Sequence, residues 1–352
     1  MKKVRVLILG TGGMATTHAE AYAGIDDAEV VAGVDVNADA LRTFCDRFDI
    51  ETRFDSLEDA LDWGEFDAVS NVTPDALHHR TTLPLLRAGK HVLCEKPLAT
   101  NYQDAREMAE AAAKVGVVNM VNLSYRNVAA VQKAAEIVAQ GKIGSIRHFE
   151  ASYLQSWLTQ PAWGDWQSES KWLWRLSTQH GSKGVLGDVG IHILDFTCFV
   201  AGSLPRDISC RLKTFHKADG DQIGEYPLDA NDSCAMDLEL ENGAVGVVSA
   251  TRFASGHHND LRLRIYGDLG GVEAAYEKAT GRVRLCSGAD LETETWRDVE
   301  TPDVRSTYQR FIEAIVGKSG GVPDFKTAAD LQKALDGAEQ SDRQDGRRVT
   351  LV

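Results

Sequence analysis

Long hydrophobic runs are missing from this sequence of 352 residues. A membrane-spanning helix needs about 20 consecutive apolar residues, whereas the first apolar stretch, Val4–Leu9, ends at a run of glycines. The sequence therefore does not predict membrane spans. Nor does it show the apolar segment and small-residue cleavage site of a secretory leader, so we expect a cytoplasmic protein.

Basic residues are scarce relative to acidic ones. Lys and Arg total 38 against 52 Asp and Glu, which gives a formal net charge of −14. Proteins that bind polyanions usually carry clusters of basic residues, and this sequence shows none. Nucleic acid and anionic membrane surfaces are therefore not expected partners.

Cysteine is also sparse, with six residues and no pair in a C-x-x-C or metal-finger spacing. So few cysteines in so long a chain do not indicate a disulfide-stabilised fold. The histidines lack metal-ligand spacing as well, because His78-His79 and His257-His258 are adjacent pairs whose side chains would diverge on a helix. We predict reduced thiols and no metal site.

Strands and helices are predicted to alternate over residues 1–122. Short apolar runs such as Val4–Leu9 and His91–Cys94 are separated by helical patterns such as Tyr102–Val115. This alternation is typical of a parallel, doubly wound α/β sheet with helices on both faces. We therefore predict an N-terminal Rossmann domain over residues 1–122.

The pattern changes after residue 122. Consecutive strand-like runs between residues 208 and 286 are separated by glycine and Asn-Gly turns, which predicts an antiparallel sheet. Two late helices follow within 306–340. We expect residues 123–352 to form an α+β domain with a large, mostly antiparallel sheet, which binds substrate and supports oligomerisation.

Residues 10–15 read Gly-Thr-Gly-Gly-Met-Ala, a G-x-G-x-x-A pattern. It follows a predicted strand and opens a predicted helix, which is the context of the dinucleotide fingerprint. Gly10, Gly12 and Gly13 would allow a tight turn and close approach of a pyrophosphate, and the helix beginning near Met14 offers N–H groups to it. The alternative is a plain glycine turn.

Asp35 ends the second predicted strand, 25 residues after Gly10. A carboxylate at this place accepts hydrogen bonds from the hydroxyls of an adenosine ribose, whereas a 2′-phosphate would meet like charge. No Arg or Lys directly follows Asp35. The sequence therefore favours NAD over NADP as cofactor.

Three polar residues recur with helical spacing in an otherwise apolar stretch. Asp188, His192 and Asp195 stand at i, i+4 and i+7, so a helix starting here would place them on one face. Burying polar groups on such a face costs free energy unless they meet a common partner or ligand. The pattern therefore favours a histidine that transfers protons over one that only packs in the core. Lys96 would lie just past a parallel strand, where open α/β sheets bind ligands.

These residues resemble the glucose–fructose oxidoreductase and inositol dehydrogenase family, Gfo/Idh/MocA, over essentially the whole chain. The resemblance rests on the fingerprint, on Glu95-Lys96-Pro97 and on the pattern Asp188-x-Gly-x-His192-x-x-Asp195. It also includes Thr73 and Pro74 with His78, and it implies cofactor contacts from these three residues, Glu95 and Lys96. Family members have a Rossmann domain and an α/β domain whose sheet commonly makes dimer or tetramer contacts, so we expect a homodimer or homotetramer.

The resemblance also implies an activity: hydride transfer between a nicotinamide cofactor and a cyclic polyol or sugar. By position, Lys96 matches the active-site lysine, His192 the acid/base and Asp188 the acid that accompanies it. Arg126 and Asp195 match positions that often touch substrate hydroxyls. Asp75 and Lys183 depart from the common pattern of the family.

Residues 154–185 form no clear element and hold five of the seven tryptophans. Tryptophan can cover the apolar face of a sugar ring, but it also packs cores and subunit contacts, and the sequence leaves these uses open. Substrate candidates in and beside this segment are Tyr153, Gln155, Trp174 and Arg175. Two other functions stay open: an NAD-using glycosidase that oxidises its sugar transiently, and a non-catalytic sensor of nucleotide or sugar.

Overall fold

The computed structural model describes residues 3–318 and 320–351, which form two compact units. The first unit comprises Met1–Ser124 and Arg305–Gln332, and the second comprises Tyr125–Val304 and Lys333–Val352. The chain therefore leaves the first unit close to the predicted boundary at residue 122 but later returns to it. The second unit therefore differs from the predicted domain of residues 123–352 by the segment Arg305–Gln332.

The late return is explained by burial. Tyr308, Phe311 and Ile312 lie on one face of a helix and belong to the hydrophobic core of the first unit. The side-chain amide of Asn122 also donates a hydrogen bond to the Tyr308 hydroxyl (3.1 Å). Helical periodicity predicts that this face is buried, but it does not identify the sheet that buries it.

Strands and helices are numbered in chain order. The strands are β1 (Val4–Leu9), β2 (Ala28–Val34), β3 (Thr52–Phe54), β4 (Ala68–Asn71), β5 (His91–Cys94), β6 (Asn119–Val121), β7 (Ile146–Leu154), β8 (Pro205–Lys213), β9 (Gln222–Ile223), β10 (Tyr226–Pro227), β11 (Ser233–Leu240), β12 (Val245–Thr251), β13 (Asp260–Gly267), β14 (Gly270–Glu277), β15 (Thr280–Ser287), β16 (Arg297–Asp298) and β17 (Val349–Thr350). The α-helices are α1 (Gly13–Ala23), α2 (Ala38–Arg47), α3 (Leu57–Trp63), α4 (His78–Arg87), α5 (Tyr102–Val115), α6 (Ala129–Ala139), α7 (Ser170–Leu173), α8 (Ile191–Ala201), α9 (Thr307–Ile315) and α10 (Phe325–Arg343).

The first unit is built on a six-stranded parallel sheet in the order β3-β2-β1-β4-β5-β6. The direction of strand succession reverses between β1 and β4, which is the place where doubly wound sheets bind ligands. The Rossmann prediction is confirmed. The three-residue strand β3 was not predicted, because it is too short to show a hydrophobic period.

The second unit is built on a nine-stranded sheet in the order β16-β15-β14-β13-β7-β12-β11-β8-β17. Its strand pairs are antiparallel except for β7 with β12, which are parallel. The predicted large, mostly antiparallel sheet is therefore confirmed. Helix α8 contacts β7, β12 and β13, so it covers the middle of the sheet.

Candidate functional site

The glycine loop between β1 and α1 is shaped to receive an anion. Gly10 has a φ of +88°, and a Cβ there would lie 2.7 Å from the carbonyl oxygen of Val72, so only glycine fits. At Gly12 and Gly13 a Cβ would meet no described atom within 4 Å. Among the described residues no side chain caps α1 and no acidic residue lies in its first turn, so its N–H groups suit a pyrophosphate. Met14 follows the loop and is 49% exposed.

Asp35 lies directly after β2 and is bonded to this loop. Its Oδ2 accepts hydrogen bonds from the backbone N–H (2.7 Å) and the hydroxyl (2.9 Å) of Thr11. Its Oδ1 accepts one from the backbone N–H of Asn37 (2.8 Å). A carboxylate has about four acceptor sites, so Oδ1 retains capacity for a ribose hydroxyl. The sequence analysis did not identify Thr11, which fixes the orientation of this carboxylate.

The segment after β4 carries Thr73, Pro74 and His78. His78 is fully buried, and its two ring nitrogens lie 2.8 Å from the carbonyl oxygens of Thr73 and Pro97. Carbonyl oxygens only accept, so the ring can satisfy both only as an imidazolium. Burial lowers the pKa of His78, but Cys94, Asp75 and the Pro97 carbonyl together raise it to about 10. His78 thus ties two loops together, and its contact with the cofactor stays a prediction.

Glu95 follows β5 and points into a buried polar network. Its Oε1 accepts a hydrogen bond from the Asn122 amide (2.6 Å) and lies 2.8 Å from Nε2 of His18, whose Nδ1 lies 2.7 Å from the Ser70 hydroxyl. Burial raises the pKa of Glu95, but His18, Asn122 and Lys96 outweigh it and lower the pKa to about 2. Glu95 is therefore a carboxylate whose side chain is engaged with protein groups.

Lys96 is the next residue, at the carboxyl edge of the parallel sheet. Its backbone N–H donates to Oε2 of Glu95 (3.2 Å), so the buried network fixes the peptide that carries the lysine. Lys96 itself is neither fully buried nor fully exposed. His18 and Asn122, which orient Glu95, were not among the predicted site residues, because they stand far from the Glu95-Lys96-Pro97 motif in the chain.

In the second unit, the segment with Asp188 and His192 departs from the expected helix. Residues Leu186–Gly190 form a π-helical turn, and α8 begins only at Ile191. Asp188 therefore precedes the α-helix that carries His192. Single π-helical turns are frequent at functional sites. The His192 side chain is mostly buried, with 8% exposure, and the ring of Tyr125 packs against it edge-on at a centroid distance of 4.9 Å.

Arg126 and Asp195, both predicted to bind substrate, form a buried ion pair with each other. The Arg126 Nε lies 3.0 Å from Oδ2 and its Nη2 lies 2.5 Å from Oδ1 of Asp195. The guanidinium also lies over the ring of Phe199, 4.4 Å from its centroid. The two charges compensate each other, so the pair fixes the segment before α6 against α8.

Tyr153 and Gln155 belong to a chain of hydrogen bonds at the end of β7. The Tyr153 hydroxyl (2.7 Å) and the Gln155 amide (2.8 Å) both donate to Oδ1 of Asn259, and Tyr153 shares a hydrogen bond with Tyr125. Burial raises the pKa of Tyr125 to about 12 and also raises the pKa of Tyr153, so both groups are neutral hydroxyls at physiological pH. These side chains offer uncharged donors and acceptors close to the ring that packs on His192.

Residues 154–185, called here the tryptophan segment, contribute to a small hydrophobic core of their own. Trp157 is 1% exposed and stacks on Trp172 at 5.1 Å, and Trp163 and Trp166 pack around the same core. For these residues the structure supports core packing. Trp174 differs, since it is 37% exposed and lies 4.5 Å below the guanidinium of Arg175. Of the five tryptophans, Trp174 is therefore the best candidate to contact a substrate.

No group of three or more His, Cys, Asp or Glu side chains in residues 3–318 and 320–351 is arranged to hold a metal ion. No helix in these ranges combines the length and the apolar character that crossing a bilayer requires.

A parallel sheet with a glycine loop after β1 and a carboxylate after β2 defines a dinucleotide-binding domain. Such a domain is typical of nicotinamide-dependent oxidoreductases. Residues 4–123 match the family model of an oxidoreductase NAD-binding Rossmann fold, and residues 131–273 match the GFO/IDH/MocA C-terminal domain. The chain belongs to the GFO/IDH/MocA oxidoreductase family and is an NAD-binding oxidoreductase.

Individual proteins agree with this assignment. Levoglucosan dehydrogenase of Pseudarthrobacter phenanthrenivorans is 28% identical over 79% of this chain and 75% of its own length. D-glucoside 3-dehydrogenase of Escherichia coli is 28% identical over 99% of this chain and 97% of its own. A solved structure of levoglucosan dehydrogenase with NADH and levoglucosan superposes with a TM-score of 0.86, at 25% identity, over 99% of this chain and all of that one.

Proposed function

We propose that this protein is an NAD-dependent dehydrogenase or reductase. It would transfer hydride between the nicotinamide and a secondary alcohol, or the matching ketone, of a cyclic sugar, sugar derivative or inositol. The observation that carries this proposal is the placement of His192 at the start of α8. Its imidazole is mostly buried, follows a π-helical turn that carries Asp188, and packs on the ring of Tyr125.

The residues of the first unit fit a dinucleotide. Gly10 allows the tight turn against Val72, Gly12 and Gly13 leave room for a pyrophosphate at the start of α1, and Asp35 would offer a carboxylate oxygen to the adenosine ribose. Thr73 and Pro74 lie at the carboxyl end of β4, where such sheets bind ligands. When bound, NAD supplies the hydride chemistry of the reaction.

The chain's own residues handle the proton and the developing charge. In the oxidation direction, the His192 imidazole accepts the hydroxyl proton of the substrate. The Lys96 ammonium stabilises the oxyanion that forms as this proton leaves. Asp188 orients the imidazole and stabilises its protonated form. Reduction of a ketone uses the same groups, with His192 as proton donor.

We further propose that the substrate is uncharged. The arginines predicted to face it are paired with carboxylates: Arg126 with Asp195, and Arg175 with Asp188, whose Nε and Oδ2 lie 3.7 Å apart. A phosphate or carboxylate on the sugar would compete with these protein acids for the same cations. Trp174 and the neutral hydroxyls of Tyr125 and Tyr153 instead suit the apolar face and the hydroxyls of a sugar ring.

The decisive experiment follows NADH absorbance with a panel of inositols, aldoses, anhydrosugars, glycosides, a sugar phosphate and a uronate, with NAD and NADP in parallel. We expect NADH to form with one class of uncharged sugar and with NAD. His192→Asn, which keeps a polar side chain of similar size, should abolish the signal. Cleavage of a glycoside without net NADH would support the glycosidase, and bound NAD without any turnover would support the sensor.

We also propose that the chain assembles as a homodimer or homotetramer through its nine-stranded sheet. Two apolar side chains on β12, Val245 and Val247, are 49% and 48% exposed although they alternate with buried residues. Apolar side chains that project from a sheet are typical of an interface. Light scattering of the wild type and of Val247→Lys would test this, since a smaller assembly is expected for the variant.

A further inference from the structure

The second unit buries an arginine that the reaction proposed above does not use. Arg252 directly follows β12 and is 0% exposed, and its guanidinium lies 5.0 Å from the centroid of the Trp157 indole. Burying a cation is costly unless counter-charges and hydrogen bonds compensate it. The position therefore requires an explanation beyond packing.

The hydrogen bonds of Arg252 join two parts of the proposed substrate site. Its Nη2 donates to Oδ2 of Asp188 (3.1 Å), and its Nη1 donates to the backbone carbonyl oxygen of Arg175 (3.0 Å). Asp188 lies in the π-helical turn before His192, and Arg175 lies in the tryptophan segment beside Trp174. One planar guanidinium thus fixes a carboxylate and the backbone of a loop at the same time, which a lysine ammonium cannot do with the same geometry.

A second buried ion pair is joined to this arginine by a backbone hydrogen bond. The Lys217 ammonium donates to Oδ2 of Asp232 (2.7 Å), with both side chains essentially inaccessible, and the Asp232 carbonyl accepts the backbone N–H of Arg252 (3.0 Å). Among the described residues, Asp232 Oδ1 and Arg252 Nε have no hydrogen-bond partner. A network left partly unsatisfied is not optimised for stability alone.

Asp188 interacts with groups from several elements of the second unit. They are Arg252 after β12, Arg175 in the tryptophan segment, and the hydroxyls of Tyr125 and Tyr153. Burial raises the pKa of both tyrosines and the Asp188 charge raises it further, so they face Asp188 as neutral groups. Both arginines contribute positive charge beside Asp188, and Arg252 makes the shorter contact, 3.1 Å against 3.7 Å.

We propose that Arg252 is a positioning residue of the reaction, which holds the Asp188 carboxylate ionised and oriented for its partnership with His192 and fixes the tryptophan segment to the same carboxylate. This inference rests on the proposed function, because it assigns Asp188 and His192 to the proton transfer. It predicts that the charge of Arg252 sets the pH midpoint of the reaction and that the shape of its guanidinium affects kcat. Methionine keeps most of the side-chain volume without the charge, and lysine keeps the charge without the two-branched geometry.

The test compares Arg252→Met, Arg252→Lys and Lys217→Met with the wild type. For Arg252→Met we expect kcat to fall roughly 10- to 100-fold, a part of what acid–base catalysis contributes. The midpoint of the pH dependence of kcat should also move to higher pH, because the loss of a cation raises the pKa of neighbouring groups. Arg252→Lys should keep the wild-type midpoint with a reduced kcat.

Lys217→Met is the matched control, since it removes a buried cation that bonds Asp232 instead of Asp188. It should lower the melting temperature and leave the pH midpoint unchanged. The proposal is overturned if Arg252→Met lowers only the melting temperature, or if Arg252→Lys has wild-type kinetics. NADH binding, measured by fluorescence, should be unchanged in all three variants.

A readout that needs no turnover separates this proposal from the proposed function. The titration of the His192 ring is followed by NMR in the protein, with the signal assigned by its loss in His192→Asn. A shift to higher pH in Arg252→Met supports the positioning role even if no sugar is oxidised. An unshifted titration contradicts it whatever the substrate panel shows. If Arg252→Met does not fold, Arg252→Gln, which removes the charge and keeps a polar side chain, takes its place in the same titration.

Discussion

Thr11 donates two hydrogen bonds, from its backbone N–H and its hydroxyl, to one carboxylate oxygen of Asp35. The fingerprint loop and the acid at the end of β2, 24 residues apart, therefore form one rigid group. Fixing one oxygen orients the other, Oδ1, which stays able to accept a ribose hydroxyl. We therefore propose that a preference for NAD depends on Thr11 as well as on the carboxylate.

Asp35→Ala should weaken NADH binding by roughly 10- to 100-fold, the loss expected for hydrogen bonds to a charged group. Binding of NADPH should change less, because its 2′-phosphate no longer meets a like charge. Titration of NADH and NADPH fluorescence on the same preparations measures both affinities. Equal losses for the two cofactors would remove Asp35 from the ribose site.

Lys96→Met should lower kcat by about 10²- to 10³-fold, since one group that stabilises a developing oxyanion typically contributes that much. NADH affinity should stay close to that of the wild type. Lys114→Met changes an exposed lysine at the end of α5 and serves as the control. A Lys96→Met enzyme with the wild-type rate would exclude the lysine from the chemistry.

Trp174→Ala and Trp172→Ala should differ in what they damage. Trp174 is partly exposed, so its loss should raise KM for the sugar with little change in melting temperature. Trp172 stacks on buried Trp157, so its loss should reduce the free energy of unfolding by about 2–3 kcal/mol, less than for a fully buried tryptophan. Steady-state kinetics and urea unfolding separate the two; a change only in oligomer mass for Trp174→Ala would instead indicate a subunit contact.

The depressed pKa of Glu95 should make stability depend on pH in the acid range. Burial opposes the shift, but His18, Asn122 and Lys96 lower the pKa from 4.5 to about 2. A carboxyl whose pKa is lower in the folded state stabilises the fold above its ordinary pKa, and this stabilisation is lost as the pH falls from about 4.5 towards 2. The contribution is about 3 kcal/mol at neutral pH.

Glu95→Gln removes this contribution, so the difference from wild type in free energy of unfolding should be largest above pH 5 and shrink below pH 4.5. Urea unfolding at a series of pH values measures it. Glu110→Gln, at an exposed position on α5, is the control and should show no such trend. A difference that does not vary with pH would show that Glu95 is not held as a carboxylate.

Much of the fold was predictable because its signals are local. Val4–Leu9, His91–Cys94 and Tyr102–Val115 have the predicted bounds, since their hydrophobic runs coincide with turn and cap residues. The π-helical turn at Leu186–Gly190 was not predicted, because residue spacing alone does not distinguish it from the first turn of an α-helix. Arg305–Gln332 was assigned to the wrong unit because amphipathic periodicity shows that a face is buried without showing against what.

In the candidate site, too, the residues with a local signal were predictable and those that depend on a distant partner were not. Gly10, Asp35 and Lys96 were identified from the sequence because each stands next to the end of a parallel strand, where position along the chain fixes position in the sheet. The sequence did not show that Arg126 pairs with Asp195, 69 residues away. His18 and Arg252 were missed because each acts through a partner more than 60 residues distant.

The sequence by itself determined the two sheets, the dinucleotide loop and the residue types available for proton transfer. These follow from hydrophobic period, turn chemistry and backbone freedom at glycine, which act over a few residues. Only the tertiary structure decided which polar side chains are paired with each other and which are left to meet a ligand. Pairing depends on burial and on distances between segments far apart in the chain, and spacing along the sequence does not contain those distances.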